Sequence, residues 1–113
     1  MTLHEVKTIL DARVLCCEEH LNREVLSACG SDFMSDVLAY VKDQPLLLTG
    51  LVNPQVIRTA EMMDVPCVIF VRGKAPDAAM MEMANERGIL LMGTQKTMYL
   101  SCGLLYNAGL IGG

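Results

Sequence analysis

The sequence predicts a three-layer α/β/α fold with a mostly parallel central sheet. Two observations predict it: short runs of consecutive apolar residues alternate with amphipathic segments, and each run ends in glycine or a polar residue. A strand buried on both faces appears in a sequence as a continuous apolar run. Strands separated by helices form β-α-β units with right-handed crossovers, which give parallel sheets. We expect residues 1–113 to form a single domain, because this length fits one hydrophobic core.

The N-terminal part of the chain predicts one helix and two short strands. Thr2 followed by Glu5 is a capping-box pattern, which should start a helix that reaches about Ala12. Short strands are predicted over 14–17, which is apolar, and over 24–29, and a polar turn separates them.

A second helix should follow the glycine that ends the second predicted strand. Ser31 or Asp32 is expected to cap it, and apolar side chains recur at helical spacing over 33–41. Pro45 should end this helix, because proline cannot continue the helical hydrogen bonds.

Three repeated strand-helix units make up the rest of the chain. Strands are predicted over 46–49, 67–71 and 89–92, and they should be adjacent and parallel with helices on both faces of the sheet. The last helix is apolar almost all round, so we expect it to be buried on more than one side. Residues 109–113 should form a loose tail. The predicted helix starts are Asn53-Pro54, Pro76-Asp77 and Thr97.

Composition excludes several classes of partner. The formal net charge of −4 argues against nucleic acid and against an anionic membrane surface, since both need basic residues on the protein. The five cysteines are odd in number, lack a Cys-x-x-Cys spacing and lie mostly in apolar runs, which indicates free thiols in a reducing cytoplasm. Hydrophobic residues make up 52 % of the chain. In a chain this short that excess predicts a homodimer formed through the last helix or the methionine-bearing helix.

The sequence offers no recognisable catalytic motif. The phosphate-binding loop pattern is absent, and no nucleophile stands next to a base. His4 and His20 are predicted to be surface residues. Cys16 and Cys17 should point to opposite faces of a strand, so they should not share a metal ion. We therefore expect neither enzymatic activity nor a cofactor or metal.

Polar and glycine residues cluster where the predicted strands end. In open parallel sheets, ligands bind beyond the carboxyl ends of the strands, near helix N-termini. Arg72 and Lys74 add two cations there on an otherwise acidic protein, and Gly73 between them allows close approach to the backbone. A small phosphate-bearing anion is the predicted ligand, although ordinary turn and cap chemistry explains the same residues. The candidate ligand-binding residues are Thr49, Gly50, Asn53, Arg72, Gly73, Lys74, Gly93, Thr94 and Thr97.

A family resemblance covers most of the chain, from about Val14 to Ala108. It is carried by Ala28-Cys29-Gly30-Ser31-Asp32-Phe33-Met34-Ser35-Asp36-Val37-Leu38, by Leu47-Leu48-Thr49-Gly50 with Asn53-Pro54, and by Val68-Ile69-Phe70-Val71-Arg72-Gly73-Lys74-Ala75-Pro76. These segments resemble the DRTGG domain family. Its fold is similar to the N-terminal domain of HPr kinase/phosphorylase, and related domains occur in phosphotransacetylases and CBS-domain pyrophosphatases.

The resemblance implies a stand-alone, non-catalytic regulatory or ligand-sensing module that acts on a partner protein. The alternative is a purely structural accessory subunit of a metabolic complex, without a ligand. Leu51-Val52 stand where the family has its Asp-Arg pair, and only Gly73 remains of the later Thr-Gly-Gly. Functions tied to those family residues are therefore not expected here.

Overall fold

A computed structural model, which describes residues 1–112, contains one five-stranded sheet with helices on both faces. Its three layers confirm the predicted fold class. The elements are α1 (Leu3–Leu10), β1 (Arg13–Cys16), a 3-10 turn (Glu18–His20), β2 (Ser27–Gly30), α2 (Met34–Tyr40), β3 (Pro45–Thr49), α3 (Pro54–Met62), β4 (Cys67–Phe70), α4 (Ala78–Arg87), β5 (Leu90–Gly93) and α5 (Met98–Asn107).

The sheet has the strand order β1-β5-β4-β3-β2. The three central strands pair in parallel, as predicted from their apolar runs, and β2 adds a fourth parallel strand beside β3. β1 lies at the opposite edge, antiparallel to β5, with a register shift between Val14 and Cys16. Because of this direction, β1 ends near the amino end of β5.

Alternating side chains of the central strands divide the interior into two cores. Leu46 and Leu48 point to the layer of α1 and α5, whereas Leu47 between them points to the layer of α2, α3 and α4. Successive side chains of a strand leave opposite faces of the sheet. All three leucines are fully buried, which explains why this strand appears in the sequence as an apolar run.

Four helix starts have the predicted side-chain caps. Thr2 and Glu5 form the capping box of α1, and the side chains of Asn53, Asp77 and Thr97 accept backbone N–H bonds at the starts of α3, α4 and α5. Each cap leaves a helix N–H satisfied at a point where no helical carbonyl is available.

The prediction for α2 was wrong at both ends. Phe33 occupies the cap position, and its side chain cannot accept a hydrogen bond. Asp32 does not cap the helix, because its carboxylate accepts bonds from the end of β3, as described below. α2 ends at Tyr40, and Pro45 is instead the first residue of β3. Proline is acceptable at the first position of a strand.

The C-terminal end also differs from its prediction. Leu110 is buried, and the N–H of Ala28 donates to the carbonyl of Ile111 at 3.0 Å, so residues 110–112 pack along β2 rather than forming a loose tail. α5 was predicted to be buried on more than one side, yet only Ser101 and Leu105 are buried in it. Met98, Cys102 and Leu104 are partly buried against the core, whereas Tyr99, Leu100 and Tyr106 are exposed. In the described part of the chain, no helix is long and apolar enough to cross a bilayer.

Candidate functional site

A groove of about 450 Å³ lies at the carboxyl edge of the sheet, between the end of β2 and the start of α5. This is the edge at which ligands bind in open parallel sheets. The groove is lined by Gly30, Ser31, Asp32, Phe33, Arg72, Thr97, Met98 and Tyr99.

The floor of the groove depends on a close approach between α5 and β2. A Cβ atom on Gly30 would lie 2.9 Å from Cys102 Sγ and 3.0 Å from Met98 Sδ. A larger residue at Gly30 would therefore force the Cys102 and Met98 side chains of α5 to move. Burial raises the pKa of the Cys102 thiol, and burial followed by the charge of Cys102 raises the pKa of Cys29. These thiols are consequently held in the protonated, less nucleophilic form.

Arg72 is positioned by a tight turn that follows β4. Arg72 and Gly73 have φ angles of 58° and 70°, and the N–H of Lys74 donates to the carbonyl of Val71 at 3.2 Å. The N–H groups of Arg72 and Gly73 donate to the carbonyls of Lys96 and Thr94, at 2.8 and 2.9 Å. The backbone N–H groups of this turn are therefore already hydrogen-bonded within the protein, and the Arg72 guanidinium is the group that the turn can offer to a ligand.

The Arg72 side chain crosses over Gly50. Its Nη2 atom lies 2.7 Å from the position that a Cβ on Gly50 would occupy, and Asp32 Oδ1 lies 3.4 Å from the same position. A side chain at Gly50 would therefore push the end of the Arg72 side chain away from this position. Within residues 1–112, no carboxylate approaches the Arg72 guanidinium to within 4.0 Å, so its charge is not neutralised by an ion pair.

Asp32 fastens the loop after β2 to the end of β3. Its Oδ1 accepts the Gly50 N–H at 2.7 Å and the Thr49 hydroxyl at 3.3 Å. Hydrogen bonds to a charged acceptor are stronger than neutral ones. This tertiary role explains why Asp32 does not cap α2.

Two aromatic side chains stand in the wall of the groove. Phe33 is 71 % exposed and Tyr99 is 90 % exposed, so both rings are accessible from solvent. Tyr99 lies in the first turn of α5, where Thr97 accepts the N–H of Leu100 at 3.2 Å. The start of a helix carries partial positive charge. A cation, a helix start and exposed aromatic faces suit a ligand that combines an anionic group with a planar ring.

The structure brings only part of the predicted residue set to the groove. Arg72 and Thr97 line it, and Thr49 and Gly50 lie beneath it through their bonds to Asp32. Asn53 instead accepts the N–H of Gln55 at 2.8 Å as the cap of α3.

The remaining predicted residues have other surroundings. Thr94 is buried and its hydroxyl donates to the Leu10 carbonyl at 2.7 Å, which joins α1 to the end of β5. Gly93 is buried in β5, beside the edge strand β1. Gly73 faces Gln95, whose Oε1 would lie 2.6 Å from a Cβ placed on the glycine. Lys74 is exposed and does not line the groove.

Sequence reasoning missed six lining residues, which are Gly30, Ser31, Asp32, Phe33, Met98 and Tyr99. Four of them end or follow β2, whose place beside β3 was not predicted. The available signal was the glycine that ends β2, since the ends of parallel strands meet at one edge of a sheet.

A second, apolar cavity of about 510 Å³ lies along the outer side of α5 and β2. Exposed apolar side chains surround it, including Leu100, Tyr106 and Ile111. Contiguous exposed apolar surface of this kind is typical of interaction sites.

Comparisons with known proteins find similarity at the level of structure. No protein-family model and no curated protein sequence matches the chain. The fold is similar to that of the CBS and DRTGG domains of the regulatory region of Clostridium perfringens pyrophosphatase, solved in complex with the activator diadenosine tetraphosphate. The TM-score is 0.74 at 16 % sequence identity, over 92 % of this chain and 45 % of that one. This likeness shows a shared fold, which is consistent with the DRTGG resemblance of the sequence.

Proposed function

We propose that the protein is a stand-alone, non-catalytic regulatory module that senses a small phosphate-bearing ligand in the groove at the carboxyl edge of the sheet. The observation that carries the proposal is the Arg72 guanidinium, which is held over Gly50 without a carboxylate partner within 4.0 Å among the described residues. A cation placed in this way binds phosphate oxygens in a bidentate manner.

The lining of the groove supports a nucleotide as the first ligand class to test. Phe33 and Tyr99 offer exposed ring faces for stacking on a base, while Arg72 and the start of α5 favour the phosphate. The structural neighbour is a regulatory region in complex with a nucleotide activator, which supports the same ligand class for this fold. A cytoplasmic location is part of the proposal, because all five cysteines are free thiols.

A thermal-shift screen tests this proposal directly. Mononucleotides, dinucleotides, acyl phosphates and inorganic phosphate are added separately at millimolar concentration, and the melting temperature of the protein is measured with each. A ligand that binds the folded state alone raises this temperature. Stabilisation by a phosphate-bearing compound supports the proposal, and no stabilisation by any of them argues for the structural subunit without a ligand.

Variants then localise the binding. Arg72→Ala should abolish the ligand-dependent shift while the melting temperature of the free protein stays nearly unchanged, because an exposed unpaired charge contributes little to stability. Lys74→Ala should have a smaller effect, since Lys74 is outside the groove. Arg58→Ala, an exposed arginine on α3, is the matched control. If the ligand-free Arg72→Ala protein melts well below the ligand-free parent while Arg58→Ala does not, Arg72 is structural and the groove proposal fails.

We also propose that the module is a homodimer, with α5 in the interface. Leu100, Tyr106 and Ile111 support this, because they expose apolar surface beside the same cavity. Light scattering at micromolar concentration should give twice the chain mass. Leu100→Ser with Tyr106→Ser should give the monomer, whereas Tyr40→Ser, which removes an equally exposed ring from α2, should not. A monomer mass for the parent protein would show that this surface faces water.

A further inference from the structure

The turn after β1 collects three metal-binding side chains. Cys17 Sγ, a carboxylate oxygen of Glu19 and a ring nitrogen of His20 all lie within 4.8 Å of one another. The 3-10 turn brings Cys17 and His20 together, because residues three apart in such a turn lie on the same side.

The backbone of Cys17 removes the argument from the sequence against a metal here. Cys17 lies beyond the end of β1, in the left-handed conformation with φ 60° and ψ 42°. Its side chain therefore does not follow the strand alternation that separates it from Cys16. The Cys16 thiol instead faces the Ile89 carbonyl at 3.6 Å, and Cys17 turns toward the end of α4.

We propose that Cys17, Glu19 and His20 form a binding site for one Zn²⁺ ion at the amino edge of the sheet. Sulfur, imidazole nitrogen and carboxylate oxygen are the three donor types that zinc uses in proteins. Zinc–ligand distances of about 2.0–2.3 Å place donor atoms about 3–4 Å apart. His20 Nε2 and Glu19 Oε1 are already 3.9 Å apart, so small side-chain rotations close the site.

The surroundings of the cluster favour a cation. Cys17 Sγ lies 3.8 Å from the Ala84 carbonyl oxygen and 3.6 Å from Asn85 Oδ1. Both residues belong to the last turns of α4, and the carbonyl end of a helix carries partial negative charge. Asn85 Oδ1 or a water supplies the fourth ligand of a tetrahedral site.

Burial gives the site an anchored side and an open side. Cys17 is only 6 % exposed, whereas Glu19 is exposed and His20 is half-buried against Gly88. An ion can enter past Glu19 and His20 and reach a fixed sulfur.

Cobalt and zinc titrations test the site on the whole chain. Protein treated with a chelator and kept in a non-thiol reductant is titrated with Co²⁺, and the absorption band of cobalt–thiolate bonds is recorded; Zn²⁺ binding is measured by calorimetry. We expect one ion per chain and displacement of Co²⁺ by Zn²⁺. Absence of the thiolate band, or no saturable Zn²⁺ binding at micromolar concentration, overturns the proposal.

Variants assign the ligands. Cys17→Ser should remove the cobalt–thiolate band, and His20→Ala and Glu19→Gln should each weaken Zn²⁺ binding about tenfold or more. Cys29→Ser and Cys102→Ser, which change two partly buried thiols at the other end of the sheet, should leave both signals unchanged. Glu19 and His20 are accessible, so their variants keep the test decisive even if Cys17→Ser unfolds the protein. An unchanged Zn²⁺ affinity in both His20→Ala and Glu19→Gln assigns the metal elsewhere and overturns the site.

Discussion

The two edges of the sheet are held in place in different ways. At the carboxyl edge the loops are joined to one another by bonds between distant segments, such as Asp32 to Gly50 and Gly73 to Thr94. At the amino edge, the turn from Cys17 to His20 closes on itself with a local bond from the His20 N–H to the Cys17 carbonyl.

This difference decides how each edge can acquire function. The groove at the carboxyl edge exists only when β2, β4 and α5 are all in place, so its binding groups report on the whole fold. The donor atoms at the amino edge come from three residues within one four-residue turn, so their grouping depends mainly on the local backbone of that turn, which packs on α4. Four predictions test this difference between the two edges.

The largest effect should come from the sheet interior that supports both edges. Phe70 is the largest fully buried side chain, and Phe70→Ala should lower the free energy of unfolding by about 3–5 kcal/mol. Denaturant unfolding measures this loss. Val52→Ala, at an exposed apolar position, is the control and should change stability by about 0.5 kcal/mol or less. Similar losses in both variants would mean that the two-core packing is not what holds the edges.

The next effect separates the edges themselves. Asp32→Ala should cost about 1–3 kcal/mol, because it leaves the Gly50 N–H without its acceptor. Asp32→Asn keeps an oxygen in place and should cost less. Glu19→Ala, the matched change at the amino edge, should be nearly neutral because that carboxylate is exposed. Equal costs for Asp32→Ala and Glu19→Ala would remove the distinction between an interlocked and a local edge.

Substitution of a glycine with positive φ should cost about the same stability at both edges, at Gly73 after β4 and at Gly88 before β5. Gly73 and Gly88 have φ angles of 70° and 67°, so an alanine at either position should cost about 1–2 kcal/mol. Gly73→Ala also meets Gln95, but only at the end of a flexible side chain. Thermal unfolding of Gly73→Ala with and without Gln95→Ala tests the cause. If Gln95→Ala rescues most of the loss, crowding and not backbone conformation requires the glycine.

The smallest effect concerns acid. Backbone and side-chain hydrogen bonds from Thr2 lower the pKa of Glu5 in the capping box, close to the amino edge. A carboxyl whose folded-state pKa is lowered contributes stability above its unfolded pKa, and this contribution disappears as the pH falls through the folded pKa. Melting temperatures from neutral pH to about pH 3 should therefore fall less steeply in Glu5→Gln than in the parent. Parallel curves would show that Glu5 does not contribute to acid sensitivity.

The sequence identified groove residues that directly follow a predicted strand or start a predicted helix. It missed residues that reach the groove only because two distant segments lie side by side. Arg72 and Thr97 were found from the residues that follow β4 and precede α5. Asp32 was assigned to a helix cap because the local pattern is the same in both roles. Only its distance to the Gly50 N–H, 2.7 Å, distinguishes them.

Local sequence was enough to predict the three central strands and four helix caps, because apolar runs and capping residues act through neighbours within a few residues. Tertiary structure alone decided that β2 borders β3, that residues 110–112 pack on β2, and that Cys17 leaves the strand in a left-handed conformation. Edge-strand order and the direction of one side chain depend on packing between segments far apart in the chain. The local sequence pattern does not contain the free energy of this long-range packing, so it could not predict these features.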